Sequence, residues 1–407
     1  MFGSYNDTLS YSSLWDYSDL SEAERLKDMQ KHIWKFFCED LAGFGLVERE
    51  GQQDMALDIG DAIGNKHHLI VEAGVGIGKS FAYIVPLLLF HKQFEQPIII
   101  STSTITLQEQ LVGDIEYVSD KIKYPVQVVV AKGQTHYICL KRVDELRDIA
   151  LKERIFSKTA ERCVERKDFA SIVTNEQWNG IRIVNYGRKT CENCMHSSRC
   201  HFIWLRKEMR ETDQFVICNH DLLTVHLQKI ISGTNGLLPD SSPILVVDEA
   251  HNLEEKVRSS LTMRHTKHSF MGIVDSAVNP LDRSGTNIDE KVNALKNGFS
   301  KLFTLLNAQV TAQIIDKSEQ VDTGRFFFEK TNEISGIITS ISDLLEQLSE
   351  QVQIQIARLE NERFGRHISE QTEYAVDELV YLAERFGQLL EKPTPNKLEK
   401  FFANTVI

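Results

Sequence analysis

A glycine-rich stretch that ends in a lysine and a hydroxyl side chain, HLIVEAGVGIGKS, occupies residues 68–80. The apolar run at 69–71 predicts a strand, and the residues that follow the glycines predict a helix. In such a strand–loop–helix unit, Lys79 would reach the β- and γ-phosphates of a nucleotide, and the Ser80 hydroxyl would hold Mg²⁺. The chemistry that these residues predict is the binding of a nucleoside triphosphate.

The glycines of this stretch account for the shape of the loop. Gly74, Gly76 and Gly78 let the backbone adopt conformations that a Cβ would forbid, so that successive N–H groups can face one anion. The N-terminus of the following helix would point its partial positive charge at the same place. The pattern is A-x-x-G-x-G-K-S, with Ala73 where the commonest form has glycine. The order strand, loop, helix favours a phosphate site over a glycine-rich turn that binds nothing.

A pair of acidic residues follows an apolar run at 242–247, in the sequence DEAH at 248–251. Acidic residues directly after a buried parallel strand lie at the carboxyl edge of the sheet, where α/β domains bind ligands. In a phosphate-loop ATPase, Asp248 would bind Mg²⁺ through water, and Glu249 would orient and deprotonate the attacking water. Together with Lys79, this pair indicates a nucleoside triphosphatase of the helicase type.

The composition is that of a folded protein of two or three domains. The chain has 407 residues, 42% of them hydrophobic, and no apolar run approaches the ~20 residues of a membrane span. The polar N-terminus lacks the apolar segment of a secretory signal, so we expect a cytoplasmic protein without a membrane partner. The net charge is −12, yet residues 131–210 carry 17 Lys and Arg against 10 Asp and Glu. This basic segment is either a surface for nucleic-acid phosphates or a solvated charged face.

Buried strands are predicted at 97–102, 126–131, 215–218 and 242–247, because each is a short apolar run rich in β-branched residues. Helical patterns separate most of them, which indicates an α/β domain with a parallel sheet. A helical lead-in over 1–47 is predicted to have Ser21 as its N-cap. From about residue 263 onward, apolar residues recur every three or four positions, which predicts a helical domain without further strands.

Seven cysteines in a cytoplasmic protein suggest metal or redox chemistry. Three of them fall within ten residues, in the sequence CENCMHSSRC at 191–200. Four thiolates would bind either zinc or an iron–sulfur cluster. The predicted ligands are Cys139, Cys191, Cys194 and Cys200. Cys163 is the rival fourth ligand, and the spacing also permits zinc with His196 or His201 as a substitute.

Several motifs, taken in order, resemble the DinG-like helicases, the bacterial relatives of XPD within helicase superfamily 2. The segments that carry this resemblance are REGQQDM at 49–55, EAGVGIGKS at 72–80, STSTITLQEQL at 101–111, KGQTHYIC at 132–139, VICNHDLL at 216–223 and VVDEAH at 246–251. The resemblance covers residues 48–262, and the helical remainder is similar in kind to the arch domain of the family.

The resemblance implies a four-part organisation. It comprises a helical lead-in at 1–47, a RecA-like ATP-binding motor domain at 48–131 and 211–262, an iron–sulfur insertion at 132–210, and a helical arch at 263–407. The implied activity is that of an ATP-dependent 5′-to-3′ DNA helicase that tracks single-stranded DNA. The implied cofactors are ATP, Mg²⁺ and a [4Fe–4S] cluster, with zinc as the alternative.

The resemblance also implies roles for single residues. Gln52 stands at the position that reads adenine, and His251 at the position that couples ATP to DNA binding. The implied contacts to the DNA backbone come from Thr102, Thr104 and Gln108. Cys139 stands at the position of the first cluster ligand, which favours iron–sulfur over zinc.

The sequence departs from the family pattern after the helical region. Up to Ile407 we find neither the S-A-T type motif nor the second RecA-like motor domain, which carries the arginine finger of the family. We therefore expect a partner chain to supply the second face of the ATP site. The alternative is a module that binds ATP and DNA without hydrolysing the nucleotide.

Overall fold

The fold is described from a computed structural model. The described residues are 20–47, 49, 51–74, 76–161, 164–184, 191–231, 233–262, 266–279, 281, 286–316, 325–327, 329–361, 375–376, 378–383, 386 and 402–404. The chain divides into two compact units, Met1–Thr262 and Met263–Ile407, and each is described by itself.

The first unit alternates helices with four strands. The strands are β1 (Ile98–Thr102), β2 (Val128–Ala131), β3 (Phe215–Asn219) and β4 (Ile244–Val247). The helices are α1 (Glu22–Lys35), α2 (Gln52–Gly64), α3 (Lys79–Phe94), α4 (Ile105–Ile122), α5 (Leu140–Asp144), α6 (Ile149–Ala160), α7 (Asn175–Ile181), α8 (His201–Glu211), α9 (His220–Ile231) and α10 (Leu253–Leu261).

The four strands form one parallel sheet in the order β2-β3-β1-β4. In the register of the sheet, Ile98 of β1 is level with Phe215 of β3 and with Ile244 of β4. All five residues of β1 are buried, as expected for an inner strand that is covered by helices on both faces. The sheet confirms the predicted α/β class, and it brings the carboxyl ends of all four strands to one edge.

The strand predicted before the phosphate loop is not formed. Residues 67–74 have no regular secondary structure, and the apolar side chains at 69–71 are exposed, with Ile70 98% exposed. A strand needs a neighbour to satisfy its backbone hydrogen bonds, and no described strand pairs with this segment. The expectation of a strand at this position was therefore wrong.

One apolar core of the first unit lies between the sheet and helices α1, α3 and α4. Helix α1 begins where the sequence predicts, because the Ser21 hydroxyl and the Glu24 carboxylate form a capping box. Helix α3 is buried over most of its length, including Pro86 in its interior. Its first turn follows Gly78 directly, so the packing of α3 fixes the position of the phosphate loop.

Between β2 and β3 the chain forms a helical insertion, which shares an apolar core with one face of the sheet. Its centre includes Tyr137, Phe169 and Trp178, and Cys139 and Cys200 pack against the same core. The isolated bridges Tyr137↔Glu165 and Ile138↔Arg182 join its segments. Helices, turns and bridges thus replace the strand–helix alternation here.

The second unit is built mainly from α11 (Lys267–Val278), α12 (Ile288–Asp316) and α13 (Asn332–Asn361). Phe270 stacks on Phe299 with 4.8 Å between ring centroids, so α11 packs on α12. Two short strands, β5 (Arg325–Phe327) and β6 (Phe402–Asn404), pair antiparallel. They correct the prediction that no strand would follow residue 263, because three-residue strands leave no detectable periodicity.

None of the described helices is both long enough and apolar enough to cross a membrane. The division of the chain into a lead-in, a motor domain, an insertion and an arch remains a prediction.

Candidate nucleotide site

The phosphate loop is shaped by two glycines in the left-handed region and by two side chains from the preceding segment. Gly76 has a φ of 88° and Gly78 a φ of 82°. Arg49 Nη1 donates to the Gly76 carbonyl at 2.7 Å, and Gln52 Nε2 donates to the Gly78 carbonyl at 2.9 Å. A Cβ at position 78 would collide with the Gln52 amide. Glycine is therefore required at position 78 by both backbone and packing.

Lys79 and Glu249 meet at the carboxyl edge of the sheet. Lys79 is the first residue of α3, and Glu249 follows β4, yet Lys79 Nζ lies 2.9 Å from Glu249 Oε1. Glu249 has a φ of 53°, which is unusual for a residue with a side chain. The two predicted motifs, 170 residues apart, therefore form one site.

The acidic pair is held against β1. The Asp248 N–H donates to the Ser101 carbonyl at 2.8 Å, and Thr102 Oγ1 lies 3.4 Å from Asp248 Oδ2. Burial raises the pKa of Asp248, and the neighbouring Glu249 carboxylate acts in the same direction. The Lys79 ammonium instead holds the pKa of Glu249 below its usual range. The two carboxyl groups of the pair thus have different environments.

Ser80 brings two further residues to the site that sequence reasoning missed. Its hydroxyl lies beside the Asp114 carboxylate, on α4, and beside the Tyr83 hydroxyl, on α3. Burial raises the pKa of both groups, and the Asp248 charge raises that of Tyr83 further. The i,i+3 spacing of Ser80 and Tyr83 could have indicated their contact. No sequence signal pointed to Asp114, because it comes from another helix.

The residues expected to contact DNA differ in exposure. Thr102 and Gln108 are fully buried, and Gln108 Nε2 donates to the Ala131 carbonyl at 3.3 Å. Thr104 is exposed and caps α4, because its hydroxyl accepts from the Leu107 N–H. The side chain of Thr104 is accessible to a ligand at this edge, whereas the buried pair supports the fold. Their DNA contact stays a prediction.

His251 is 72% exposed, with Nδ1 3.5 Å from Glu249 Oε2. It therefore lies next to the predicted catalytic carboxylate and open to solvent. Its coupling role stays a prediction.

The predicted cluster ligands all lie in the insertion and are all half-buried. The Cys194 N–H donates to the Cys191 carbonyl at 3.2 Å, and the Cys194 thiol interacts electrostatically with that of Cys200. Cys139 is the N-cap of α5. Within the described ranges, no three His, Cys, Asp or Glu residues lie close enough to hold a metal ion. The rival ligand Cys163 lies outside those ranges.

The zinc alternative named His196 and His201. His196 is buried, its N–H lies 3.4 Å from Cys194 Sγ, and its Nε2 lies 3.5 Å from Asp144 Oδ2. His201 is the first residue of α8, directly after Cys200. Both histidines therefore adjoin predicted ligands in the chain, and the His196 imidazole faces Asp144.

Comparison with known proteins gives one family and several relatives. Residues 51–176 match the family described as DEAD/DEAH box helicase. Over 224 residues, 52% of this chain and 34% of the relative, the sequence is 32% identical to the ATP-dependent DNA helicase YoaA of Haemophilus influenzae. Over 247 residues, 54% of this chain and 36% of the relative, it is 28% identical to the ATP-dependent helicase DinG of Mycobacterium tuberculosis. A Bacillus subtilis protein named 3′-5′ exonuclease DinG is 28% identical over 248 residues, 56% of this chain and 26% of the relative.

Proposed function

Since the chain carries a DEAD/DEAH box helicase domain and corresponds to the N-terminal portion of a DinG-like helicase, we propose that it is the ATP-binding part of a DNA helicase. It binds ATP with Mg²⁺ between the phosphate loop and the acidic pair, and hydrolysis drives movement along single-stranded DNA. The matched part spans between 26% and 36% of these relatives, so the activity of the whole protein belongs to the proposal.

The observation that carries the proposal is the 2.9 Å contact between Lys79 Nζ and Glu249 Oε1. A lysine at a helix N-terminus after a glycine loop is an anion site, and a carboxylate facing it can act on water at the same anion. Both side chains are about one-third exposed, with 33% for Lys79 and 30% for Glu249, so a nucleotide can reach them.

Each residue has a role that its position allows. The backbone at Gly76 and Gly78 and the Lys79 ammonium hold the β- and γ-phosphates. Ser80 and Asp248 would hold Mg²⁺, which when bound offsets phosphate charge. Glu249 orients a water molecule at the γ-phosphate and accepts its proton. The adenine contact of Gln52 would come from its Oε1 atom, because its Nε2 donates to Gly78.

Nucleotide binding tests this proposal. A titration with a fluorescent ATP analogue and Mg²⁺ should show binding that Lys79→Ala abolishes. Lys207→Ala is the matched control, because Lys207 is an exposed lysine on α8 whose partner is Glu211. Equal affinity of Lys79→Ala and the wild type would refute the phosphate-loop assignment.

Single-stranded DNA as the substrate is supported by the relatives and by the basic insertion. Phosphate contacts release counterions, so binding should weaken steeply as the salt concentration rises. Anisotropy titrations with labelled single strands at several salt concentrations measure this slope, and a slope of zero contradicts phosphate binding. Unwinding of duplexes with a 5′ or a 3′ single-stranded tail tests the proposed 5′-to-3′ direction.

A [4Fe–4S] cluster held by Cys139, Cys191, Cys194 and Cys200 belongs to the same proposal, with zinc as the alternative. The chemistry of the donor set supports this proposal, since four thiols of one insertion are half-buried and the thiols of Cys194 and Cys200 interact. The described thiols do not form a group that could hold a metal ion, so binding would have to bring them closer together. When bound, such a cluster would cross-link segments that lie 61 residues apart at their ends, 139 and 200.

A second candidate function is a module that holds ATP and DNA without turnover. The specific observation in its favour is the same ion pair, since a Glu249 carboxylate bound to Lys79 is not available to water. In the helicase proposal, an arginine from a second motor domain completes the site. DNA-stimulated ATP hydrolysis by the purified chain favours the helicase, and binding without hydrolysis favours the module.

A further inference from the structure

His220 is fully buried at the start of α9, directly after β3. It belongs to the VICNHDLL segment at 216–223, to which the proposed nucleotide site assigns no role. Burying an imidazole is unfavourable unless its nitrogens are hydrogen-bonded. One of them is, because His220 Nδ1 lies 2.8 Å from Ser101 Oγ.

The other ring nitrogen, Nε2, is buried and has no hydrogen-bond partner within the part of the chain that the structure describes. The ring interacts electrostatically with the backbone of Asp248 and Glu249 and with the Asp248 carboxylate. A buried nitrogen without a partner is rare in a native fold and calls for an explanation from its surroundings. Here the surroundings are the acidic pair of the nucleotide site.

Ser101 connects His220 to that pair. Its hydroxyl contacts His220, and its carbonyl accepts the Asp248 N–H at 2.8 Å. The next residue, Thr102, places Oγ1 3.4 Å from Asp248 Oδ2. His220 and Asp248 therefore share one hydrogen-bond partner, Ser101, near the end of β1.

The backbone of the acidic pair needs such support. Glu249 has φ 53° and ψ 43°, in the left-handed region that a residue with a Cβ adopts only when its surroundings enforce it. If the backbone left that conformation, the Glu249 carboxylate would no longer point toward Lys79. The Asp248 N–H donates to the Ser101 carbonyl, and the His220 ring interacts with the backbone of both acidic residues.

We propose that His220 is a positioning residue, which acts with Ser101 to hold the Asp248–Glu249 backbone in the conformation that directs both carboxylates toward the phosphate loop. The inference rests on the proposed function, because it concerns the same nucleotide site. His220 acts through Ser101 and the Asp248–Glu249 backbone, without contact to the nucleotide.

The test compares three variants. His220→Ala removes the ring, whereas His220→Asn keeps an amide where Nδ1 stands and can still bond Ser101. His226→Asn is the control, because His226 is buried on the same helix but accepts from the Leu237 and Leu238 N–H groups, away from the acidic pair. The affinity for a fluorescent ATP analogue is measured once with excess Mg²⁺ and once with EDTA. The ratio of these two affinities is the Mg²⁺-dependent gain in affinity.

We expect His220→Ala to lower the Mg²⁺-dependent gain by about tenfold, the size of one lost hydrogen bond to a charged site. The affinity of His220→Ala in EDTA should stay within about twofold of the wild-type value. His220→Asn should recover most of the Mg²⁺-dependent gain, and His226→Asn should retain all of it. A wild-type gain in His220→Ala overturns the inference. So does an equal loss in EDTA and Mg²⁺ for all three variants, because that pattern reports general damage to the fold.

Hydrogen exchange, measured without added nucleotide, provides a second test of the inference that does not depend on nucleotide binding. In His220→Ala, the peptide that covers residues 244–252 should exchange faster than in the wild type and in His226→Asn. Unchanged exchange there overturns the inference. If the wild type binds no ATP, the proposed function fails, and this arm still decides whether His220 holds the acidic pair.

Discussion

Lys79 Nζ and Glu249 Oε1 form an ion pair at 2.9 Å across the site where the phosphates of ATP are proposed to bind. Each of the two groups has a proposed task, phosphate binding for Lys79 and activation of water for Glu249, that it cannot perform while it is bound to the other. A phosphate must displace the carboxylate from the lysine before Glu249 can act on water.

Glu249→Gln tests the competition between this pair and the nucleotide. Removing the negative charge frees the Lys79 ammonium for phosphate, and a half-exposed pair of this kind is worth about 0–1 kcal/mol. We therefore expect hydrolysis to be lost while the Kd for an ATP analogue falls by up to about fivefold. Glu254→Gln, at an 80% exposed position on α10, should change neither quantity. Several-fold weaker binding by Glu249→Gln would show that the pair does not compete with ATP.

Gly78→Ala tests the fit of the phosphate loop. The new Cβ would adopt a φ of 82° and meet the Gln52 amide, so both strain and collision oppose it. We expect a loss of about 1–3 kcal/mol in the free energy of unfolding and a loss of nucleotide binding. Gly113→Ala is the matched control, since a Cβ there meets no atom within 4 Å in the middle of α4. It should stabilise the protein by up to about 1 kcal/mol, and urea unfolding measures both changes. Equal stability of the two variants would contradict the described loop.

The inner strands could be predicted because the composition of each segment, without reference to any other part of the chain, indicates a buried strand. A run such as Ile98–Thr102 is apolar and β-branched throughout, and a parallel sheet with covered faces gives such runs their place. Once the strands are parallel, their carboxyl ends meet at one edge. The meeting of Lys79 and Glu249 follows from that topology, although 170 residues separate them.

Features that depend on partners distant in the sequence could not be predicted. Residues 69–71 have strand composition, but pairing is a property of two segments, and no described segment pairs with them. The short strand Arg325–Phe327 forms only because Phe402–Asn404 lies beside it. Asp114 contributes to the site through the packing of α4 near Ser80, which no local pattern encodes.

Lys132 links the sheet to the insertion and can be tested against a neighbour, Lys167, that shares both of its carboxylate partners. Its side chain is 4% exposed, and its ammonium lies 2.6 Å from Glu165 Oε2 and 3.3 Å from Glu109 Oε1. Lys132→Ala would leave these carboxylates without a buried cation, although both are partly hydrated. We expect a loss of about 1–3 kcal/mol in the free energy of unfolding at neutral pH.

Lys167→Ala provides the comparison. Lys167 lies 2.9 Å from the same Glu109 oxygen but is 61% exposed. Its loss should cost at most about 1 kcal/mol. Urea unfolding of both variants at the same salt concentration measures the difference. A larger loss for Lys167→Ala would show that burial does not set the importance of these pairs.

His226 makes the stability of the first unit depend on pH. Its Nδ1 accepts the N–H groups of Leu237 and Leu238 at 3.0 and 3.1 Å, so the ring must be neutral at that nitrogen. Burial lowers the pKa of His226, against the opposing charge of Asp240. The unfolded chain therefore takes up the proton first, and stability is lost as the pH falls below about 6.5, by at most about 1.4 kcal/mol per pH unit.

Urea unfolding at pH 7.5 and pH 5.5 measures this effect. His226→Asn keeps an acceptor near the Nδ1 position but does not titrate, so the drop in stability between the two pH values should be smaller than in the wild type. His68→Asn, at an exposed position, should show the wild-type drop. An identical drop in His226→Asn and the wild type would exclude His226 as a source of the pH dependence.

Cys194→Ser tests the metal centre of the insertion. Protein purified without oxygen should contain iron and sulfide, and the variant should lose both because a hydroxyl replaces a thiolate ligand. Cys38→Ser is the control, since Cys38 is exposed and precedes the motor region. Its iron content should equal that of the wild type. Colourless wild-type protein that contains zinc would favour the zinc alternative, and normal iron content in Cys194→Ser would remove Cys194 from the ligand set. Loss of the cross-link should also weaken binding of single-stranded DNA, as measured by anisotropy.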